Sequence, residues 1–320
     1  MSVARWIVTG LAPCLLGAPL VIAVAALSGV GHRWVDILAQ FTAPAFVAVL
    51  LLAVGLLAAR LWLAGGAAVV VGLVSLFAVW PQWSPARATP RPDAPTISIY
   101  SANLYVGNTD AKAMTDSIKA ADADIIVLIE MSHEAATQVD TVLAGYPNRV
   151  AMPSLERPHR DRNVIASRFP LKAMHSPTRI PGLSHMIALV DTPLGPIEVV
   201  AVHLTRPWPY QYQWGQITQA MSLAQVVAGA DTPVVVAGDF NSVSSARIGK
   251  QIQKDIGLIP APGWPGTWPS ALPAPLGITI DQVYSSPELA FVGRRVGRRN
   301  GSDHRPVITR LTLAEPAKAP

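Results

Sequence analysis

In Val234-Val235-Val236-Ala237-Gly238-Asp239-Phe240-Asn241-Ser242 an unbroken apolar run ends in glycine, aspartate, asparagine and serine. Four apolar residues without alternation suit a strand covered on both faces. The polar cluster marks where that strand gives way to a loop, and loops at strand ends are where chemistry collects. Asp239 and Asn241 stand two residues apart, so extended backbone points both side chains the same way. Working outward, the same design recurs: Asn103 follows Ile97–Tyr100, Glu130 ends Ile125–Ile129, and His203 ends Ile197–Val202. Asp281 interrupts the apolar run Ile280–Tyr284 near its start, and Ser302-Asp303-His304 precedes Val307–Leu311. Further strands are predicted at Asn163–Ala166 and Met186–Asp191, and helices at Asp110–Ala121, Ser132–Leu143 and Gln213–Ala228, which are rich in good helix formers. Strands alternating with helices imply layers, either two face-to-face sheets with helices outside or one α/β sheet.

Residues 1–80 are a different material. The chain has 320 residues and is 51% hydrophobic and 14% charged, and in its first 80 residues only Arg5, Arg33, Asp36 and Arg60 carry charge. An ordinary soluble domain is about one quarter charged. The stretches Trp6–Gly31, Phe41–Ala59 and Leu61–Val79 are charge-free, and about 20 helical residues cross the roughly 30 Å hydrocarbon core. The expectation is a three-helix transmembrane segment, 1–80, with spans at about 7–30, 41–59 and 61–80, and with Gly65-Gly66 allowing close helix approach. Arg5 and Arg60 on the cytoplasmic side put the Gly31–Gln40 connection and the C-terminal part outside. Residues 81–95, PQWSPARATPRPDAP, read as a stiff proline-rich linker, 96–313 as a soluble domain and 314–320 as a frayed tail. The single cysteine, Cys14, permits no intramolecular disulfide and reads as a buried thiol. A net charge of +5 is mild and demands no nucleic acid.

The order of the motifs carries a resemblance. Ser101-Ala102-Asn103-Leu104, Leu128-Ile129-Glu130, Asn163-Val164-Ile165-Ala166-Ser167-Arg168-Phe169-Pro170, Val202-His203-Leu204, Gly238-Asp239-Phe240-Asn241-Ser242, Ile280-Asp281-Gln282-Val283 and Ser302-Asp303-His304-Arg305-Pro306-Val307 together resemble the endonuclease/exonuclease/phosphatase superfamily of DNase I-like enzymes. The resemblance covers essentially the whole of 96–313. It implies an α/β (α+β) four-layer sandwich, two β-sheets packed face to face with outer helices. It departs at Gln282, where many members have histidine or tyrosine, and in its short connecting loops, which favour a small or lipid-linked substrate over a gripped duplex.

The chemistry that the resemblance implies is hydrolysis of a phosphate ester or anhydride. Hard oxygen ligands suit Mg²⁺ or Mn²⁺, with Glu130 as the first ligand and Asp303 as a second-metal or outer partner. Asp239 would orient or deprotonate the attacking water, while Asn241, Asn103 and His203 would contact the substrate phosphate. His304 would act close to the phosphate with Asp281 fixing its tautomer. His203, Asp239, Asn241, Asp281 and His304 are thus the catalytic candidates. The basic residues Arg294, Arg295, Arg298 and Arg299 read as a nucleic-acid or headgroup grip or as a solvated loop. Trp208, Tyr210, Tyr212, Trp214, Trp264 and Trp268 read as cleft-mouth aromatics or as packing between loops.

The expected function is a membrane-anchored, metal-dependent phosphohydrolase or phosphodiesterase in a bacterial cytoplasmic membrane. Its catalytic domain would act outside the cytoplasm on a lipid-linked phosphate or diphosphate, with the lipid bilayer as partner. The arrangement is similar to membrane-bound bacterial members linked to cell-envelope lipid phosphates. A membrane-anchored nuclease acting on DNA or RNA and an inactive membrane scaffold are the competing readings.

Overall fold

A computed structural model describes residues 3–151, 162–174, 184–207 and 213–316. The chain begins with four helices, α1 (Val3–Ser28), α2 (Arg33–Ala39), α3 (Thr42–Ala58) and α4 (Trp62–Trp83). The sandwich follows with β1 (Ile97–Asn103), α5 (Ala111–Ala121), β2 (Ile125–Met131), α6 (His133–Thr137), α7 (Val139–Val142), β3 (Asn148–Ala151), β4 (Arg162–Ser167), β5 (Leu171–Met174), β6 (Ser184–Thr192) and β7 (Gly195–His203). It closes with α8 (Gln213–Ala228), β8 (Val234–Asp239), α9 (Arg247–Gln251), β9 (Ile259–Pro260), β10 (Asp281–Ser285), β11 (Leu289–Val296) and β12 (Val307–Leu313).

Two six-stranded sheets form, in the orders β11-β12-β1-β2-β4-β3 and β5-β6-β7-β8-β10-β9. Each contains one parallel pair, β1 with β2 and β7 with β8. A parallel pair needs a crossover, which α5 and α8 supply. Period-two alternation within all-apolar strands serves two cores at once. Ile97 and Ile99 of β1 point between the sheets, whereas Tyr100 and Ala102 point outward against Met114 and Ile118 of α5. In β7, Val199 and Ala201 point inward while Val200 and Val202 meet Ala220 and Leu223 of α8. The result is helix, sheet, sheet, helix, which decides between the two layer arrangements the sequence left open. Each fully buried isoleucine or valine contributes about 1.5–3 kcal/mol.

Gly238 has no substitute. Its φ is +146°, and a Cβ there would lie 1.9 Å from the Val202 carbonyl oxygen on β7. Gly238→Ala is expected to cost roughly 3 kcal/mol or more, because the obstacle is backbone that cannot move aside. A thermal midpoint equal to that of the wild-type protein, followed by circular dichroism, would refute this.

Several elements differ from expectation. Strands β3, β5 and β9 lack a long apolar run, because each lies at a sheet edge with a solvated side, and none was read from the sequence; the apolar Leu289–Val292 that opens β11 was passed over. β11 includes Arg294 and Arg295, which the sequence left open between a grip and a solvated loop. Ser132–Leu143 is two short helices, α6 and α7, not one. The proline-rich stretch is less free than a linker. Pro81 lies inside α4, which runs on to Trp83, because a proline near a helix end forfeits only one hydrogen bond. Arg91 N–H then donates to the Leu313 carbonyl, and Glu315 N–H donates to that of Thr89, so the start of the predicted tail is paired.

The helical segment also differs. Among the described residues one helix, α4, is long and apolar enough to cross a membrane, and a second candidate exists only as Cys14–Ser28 joined to α2 at a 114° bend. α3, at 17 residues, is shorter; at 1.5 Å per residue it falls short of the hydrocarbon thickness. Three spans were expected, and the described residues carry one such helix, or two counting the bent pair. α3 and α4 meet where a Cβ on Gly65 would come within 2.6 Å of Leu57 Cδ2, whereas Gly66 faces open space. Leu16, Val49, Ala53, Leu56, Ala68 and Val71 form the bundle's own core, while Leu51, Val54, Leu63, Leu73 and Phe77 face outward. Cys14 is exposed, contrary to expectation, on the outward side of α1.

The bundle packs directly on the sandwich. Ala23 and Ala26 of α1, Ala39 of α2 and Ala78 of α4 share an apolar cluster with Val243, Ala246, Ile278 and Ile280. Small residues on the helices let them approach the loop that follows Asp239 and the segment that precedes Asp281.

Candidate active site

Strand register assembles the site. His203 pairs with Asp239, and Asp239 pairs with Asp281, so β7, β8 and β10 present three polar side chains in a row. The other sheet contributes Asn103 from the end of β1 and Glu130 from β2. A bulge in the β2–β4 pairing falls between Leu128 and Met131, and bulges re-aim side chains. Glu130 there has φ +53°, and Asn241 has φ +48°. Asparagine tolerates the left-handed region; glutamate does so only where its surroundings enforce it.

Asn103 ties the two sheets together. Its Nδ2 donates to Glu130 Oε1 at 2.8 Å and to Asp239 Oδ2 at 3.1 Å, and its Oδ1 accepts from Tyr105 N–H at 2.9 Å. Both amide hydrogens are directed at carboxylates, so Asn103 bridges the two acids. Asn241 N–H donates to Asp239 Oδ1 at 2.7 Å, and its Nδ2 donates to the Leu204 carbonyl at 2.8 Å, leaving one amide hydrogen for a substrate. His203 Nε2 lies 3.2 Å from Glu130 Oε1.

His304 is 5% exposed, with Nδ1 2.9 and 3.0 Å from the two Asp281 oxygens and Nε2 3.9 Å from Asp239 Oδ2. Burial works against its charged form, but the Asp281 carboxylate outweighs that and, with Asp239 and Asp303, pushes its pKa up to about 10. Burial pushes the Asp239 carboxyl up to about 6, helped by Asp281 and opposed by His304 and His203. A histidine raised above its ordinary 6.5 lends stability that is complete below that pH and is lost as pH climbs toward 10. The metal-free protein is therefore expected to lose thermal stability between pH 7 and pH 10. Asp281→Asn should flatten that slope; an equally steep slope in the variant would refute the assignment.

Among the described residues, two groups of side chains place possible ligand atoms within 4.8 Å of one another, Glu130 with His203 and Asp239, and Asp239 with Asp281 and His304. The carboxylate oxygens of Glu130 and Asp239 fit a hard divalent cation. Asp303 lies outside both groups; its Oδ2 accepts from Trp268 Nε1 at 3.2 Å and its Oδ1 is 4.0 Å from His304 Nε2.

Two glutamines, of which the sequence reading passed over Gln216, hold the loop after β8. Gln216 donates to the carbonyls of Phe240 and Asn241 at 2.8 and 3.1 Å, and Gln282 donates to that of Ser242. Gln282, read as a departure from the family pattern, is thus a loop anchor. The arginine run is mostly occupied: Arg294, Arg295 and Arg299 donate to the carbonyls of Pro265, Ala121 and Ser270. Trp264 packs on Trp83 at 5.9 Å, Trp268 joins the bundle cluster, and Trp214 is exposed. Trp208, Tyr210 and Tyr212 lie outside the described residues.

The sequence pattern of the Endonuclease/Exonuclease/phosphatase family matches residues 100–304. No curated protein matches the chain. Among solved structures, an endonuclease/exonuclease/phosphatase from Beutenbergia cavernae aligns with a TM-score of 0.52 at 23% identity, covering 70% of this chain and 73% of that one. A mannosyl-6-phosphatase from Bacteroides thetaiotaomicron aligns with a TM-score of 0.54 at 15% identity, covering 68% and 100%. A humanized TDP2 from D. rerio aligns with a TM-score of 0.52 at 15% identity, covering 68% and 99%. At such identities the likeness speaks to the fold.

Proposed function

Because the chain belongs to the endonuclease/exonuclease/phosphatase family, and so to the phosphoesterase- and nuclease-type hydrolases, we propose that it is a membrane-anchored phosphohydrolase acting on a lipid-linked phosphate or diphosphate outside the cytoplasm. The observation that carries this reading is the contact between apolar helices and the catalytic loops: Val243 and Ile280, next to Asn241 and Asp281, pack on α1, α2 and α4. A site built against apolar helices suits a substrate whose phosphate emerges from lipid. The outward apolar side chains of α3 and α4 make a surface that water solvates poorly. Arg60, just before α4, supports the outward orientation of the chain that follows that helix.

Glu130 would hold Mg²⁺ or Mn²⁺, with Asp239 beside it. Such an ion supplies charge neutralisation at the phosphoryl oxygens and a more acidic water. Asp239, desolvated and raised toward neutrality, orients the attacking water and takes its proton. His304, kept cationic by Asp281, offers its Nε2 hydrogen to a phosphoryl oxygen on which charge builds up. Asn241 donates its remaining amide hydrogen there, and His203 donates from the side of Glu130.

The deciding experiment measures phosphate release by detergent-solubilised full-length protein with Mg²⁺, comparing a polyprenyl diphosphate with plasmid DNA. Release from the lipid alone supports the reading. Cleavage of DNA alone overturns it in favour of an anchored nuclease, whose binding should weaken steeply with salt. Turnover of neither substrate, without divalent-metal binding, leaves the scaffold reading.

A further inference from the structure

The loop that carries Asn241 is fastened from outside the sandwich as well as from within it. Gln40, the residue that caps the C-terminus of α2, is 5% exposed. Its Oε1 accepts from Val243 N–H at 2.8 Å, and its Nε2 donates to Ser242 Oγ at 3.3 Å. α2 is itself held against the next turn of chain: Asp36 accepts from Arg247 N–H at 2.8 Å and from Gln213 Nε2, and Arg247 Nη1 donates to the Gly31 carbonyl at 2.8 Å. Buried carboxylates and amides are costly unless paired, and an anchor serving only to tether would have no use for them at this place.

We propose that Gln40 is a positioning residue of the active site, through which the helical segment fixes the Asn241–Val243 loop and makes the bundle a working part of the hydrolase. The proposal rests on the phosphohydrolase reading above. Its physical basis is the set of hydrogen bonds that holds the loop as it leaves β8 through Asn241, whose left-handed backbone (φ +48°) an asparagine tolerates and so does not by itself fix the loop's course. Gln216 and Gln282 grip the carbonyls of residues 240–242. Gln40 is the partner that takes the N–H of Val243 and the hydroxyl of Ser242, and so fixes the loop's exit. Losing that grip would let the loop relax and would misplace the Asn241 amide relative to Asp239.

The test compares Gln40→Met, which keeps the length of the side chain and removes both hydrogen bonds, with Gln40→Glu. In the latter the carboxylate still accepts from Val243 N–H and also accepts from the Ser242 hydroxyl. Full-length protein in detergent is assayed with Mn²⁺ on bis(p-nitrophenyl) phosphate and on a polyprenyl diphosphate. Gln40→Met is expected to lower kcat about tenfold to a hundredfold with KM within about twofold, and to speed amide exchange in 238–246 while leaving β2 unchanged. Gln40→Glu is expected to restore most of both. Wild-type kcat, KM and exchange in Gln40→Met would overturn the positioning role, as would a kcat loss that Gln40→Glu does not restore. Should Gln40→Met fail to fold, Ser242→Ala removes one of the two bonds and is judged by the same exchange and kcat criteria. If the wild-type protein hydrolyses neither substrate, the phosphohydrolase reading falls, and the exchange measurement still decides whether Gln40 holds the loop.

Discussion

His304→Ala is expected to lower phosphate release by about 10³–10⁴-fold while leaving the protein folded. The imidazole lies 2.9 Å from Asp281 and 3.9 Å from Asp239, and with Asp281 holding its pKa near 10 it carries a positive charge at neutral pH. A fixed cation in a water-poor site stabilises charge that grows on the phosphoryl group, and it needs no rearrangement during reaction. Asp281→Asn should come close to the same loss for a different reason. With its carboxylate gone, desolvation of His304 is opposed only by Asp239 and Asp303, so the pKa falls and less of the ring is charged at pH 7. The two losses should not add, because the side chains act as a unit. Steady-state rates for both single variants and the double variant make the check; a double variant as poor as the product of the single losses would sink the pairing.

The second large effect is expected at Glu130. Glu130→Ala should weaken Mn²⁺ binding about a hundredfold or more, measured by calorimetry on full-length protein, and should cut phosphate release by roughly 10²–10³-fold at fixed metal. Removing this carboxylate also frees an Asn103 amide hydrogen and the Nε2 of His203 from their acceptor. Asp303→Ala is the comparison. Its carboxylate is half exposed and is tied to Trp268, so its loss should change Mn²⁺ affinity much less. Equal losses in the two variants would mean that Asp303 is as much a ligand as Glu130, and would revive the ligand pair expected from the sequence.

Much of the fold was legible because burial on both faces leaves a plain mark. Val234–Ala237 and Ile125–Ile129 are apolar at every position, which only a covered strand tolerates, and the polar residues closing them stood out against that background. The edge strands β3, β5 and β9 left no such mark, since half their surface meets solvent. Three helices at the N-terminus were equally visible, but the bend after α1 and the shortness of α3 depend on how the helices pack. The polar side chains that gather in the site were each visible at a strand end, while the second use of Asn103, as a bridge between carboxylates, was not.

What the sequence determined alone was therefore composition by segment: where apolar strands begin and end, which polar residues terminate them, and that residues 1–80 are unlike the rest. Tertiary structure decided the partnerships. Nothing local marks Gln40 as the partner of Val243, Gln282 as the partner of Ser242, or Ala39 and Ala78 as neighbours of Ile280. Glutamine and alanine occur everywhere, and a hydrogen bond spanning some two hundred residues of chain exists only after the sheets have set their register and the helices have docked on them.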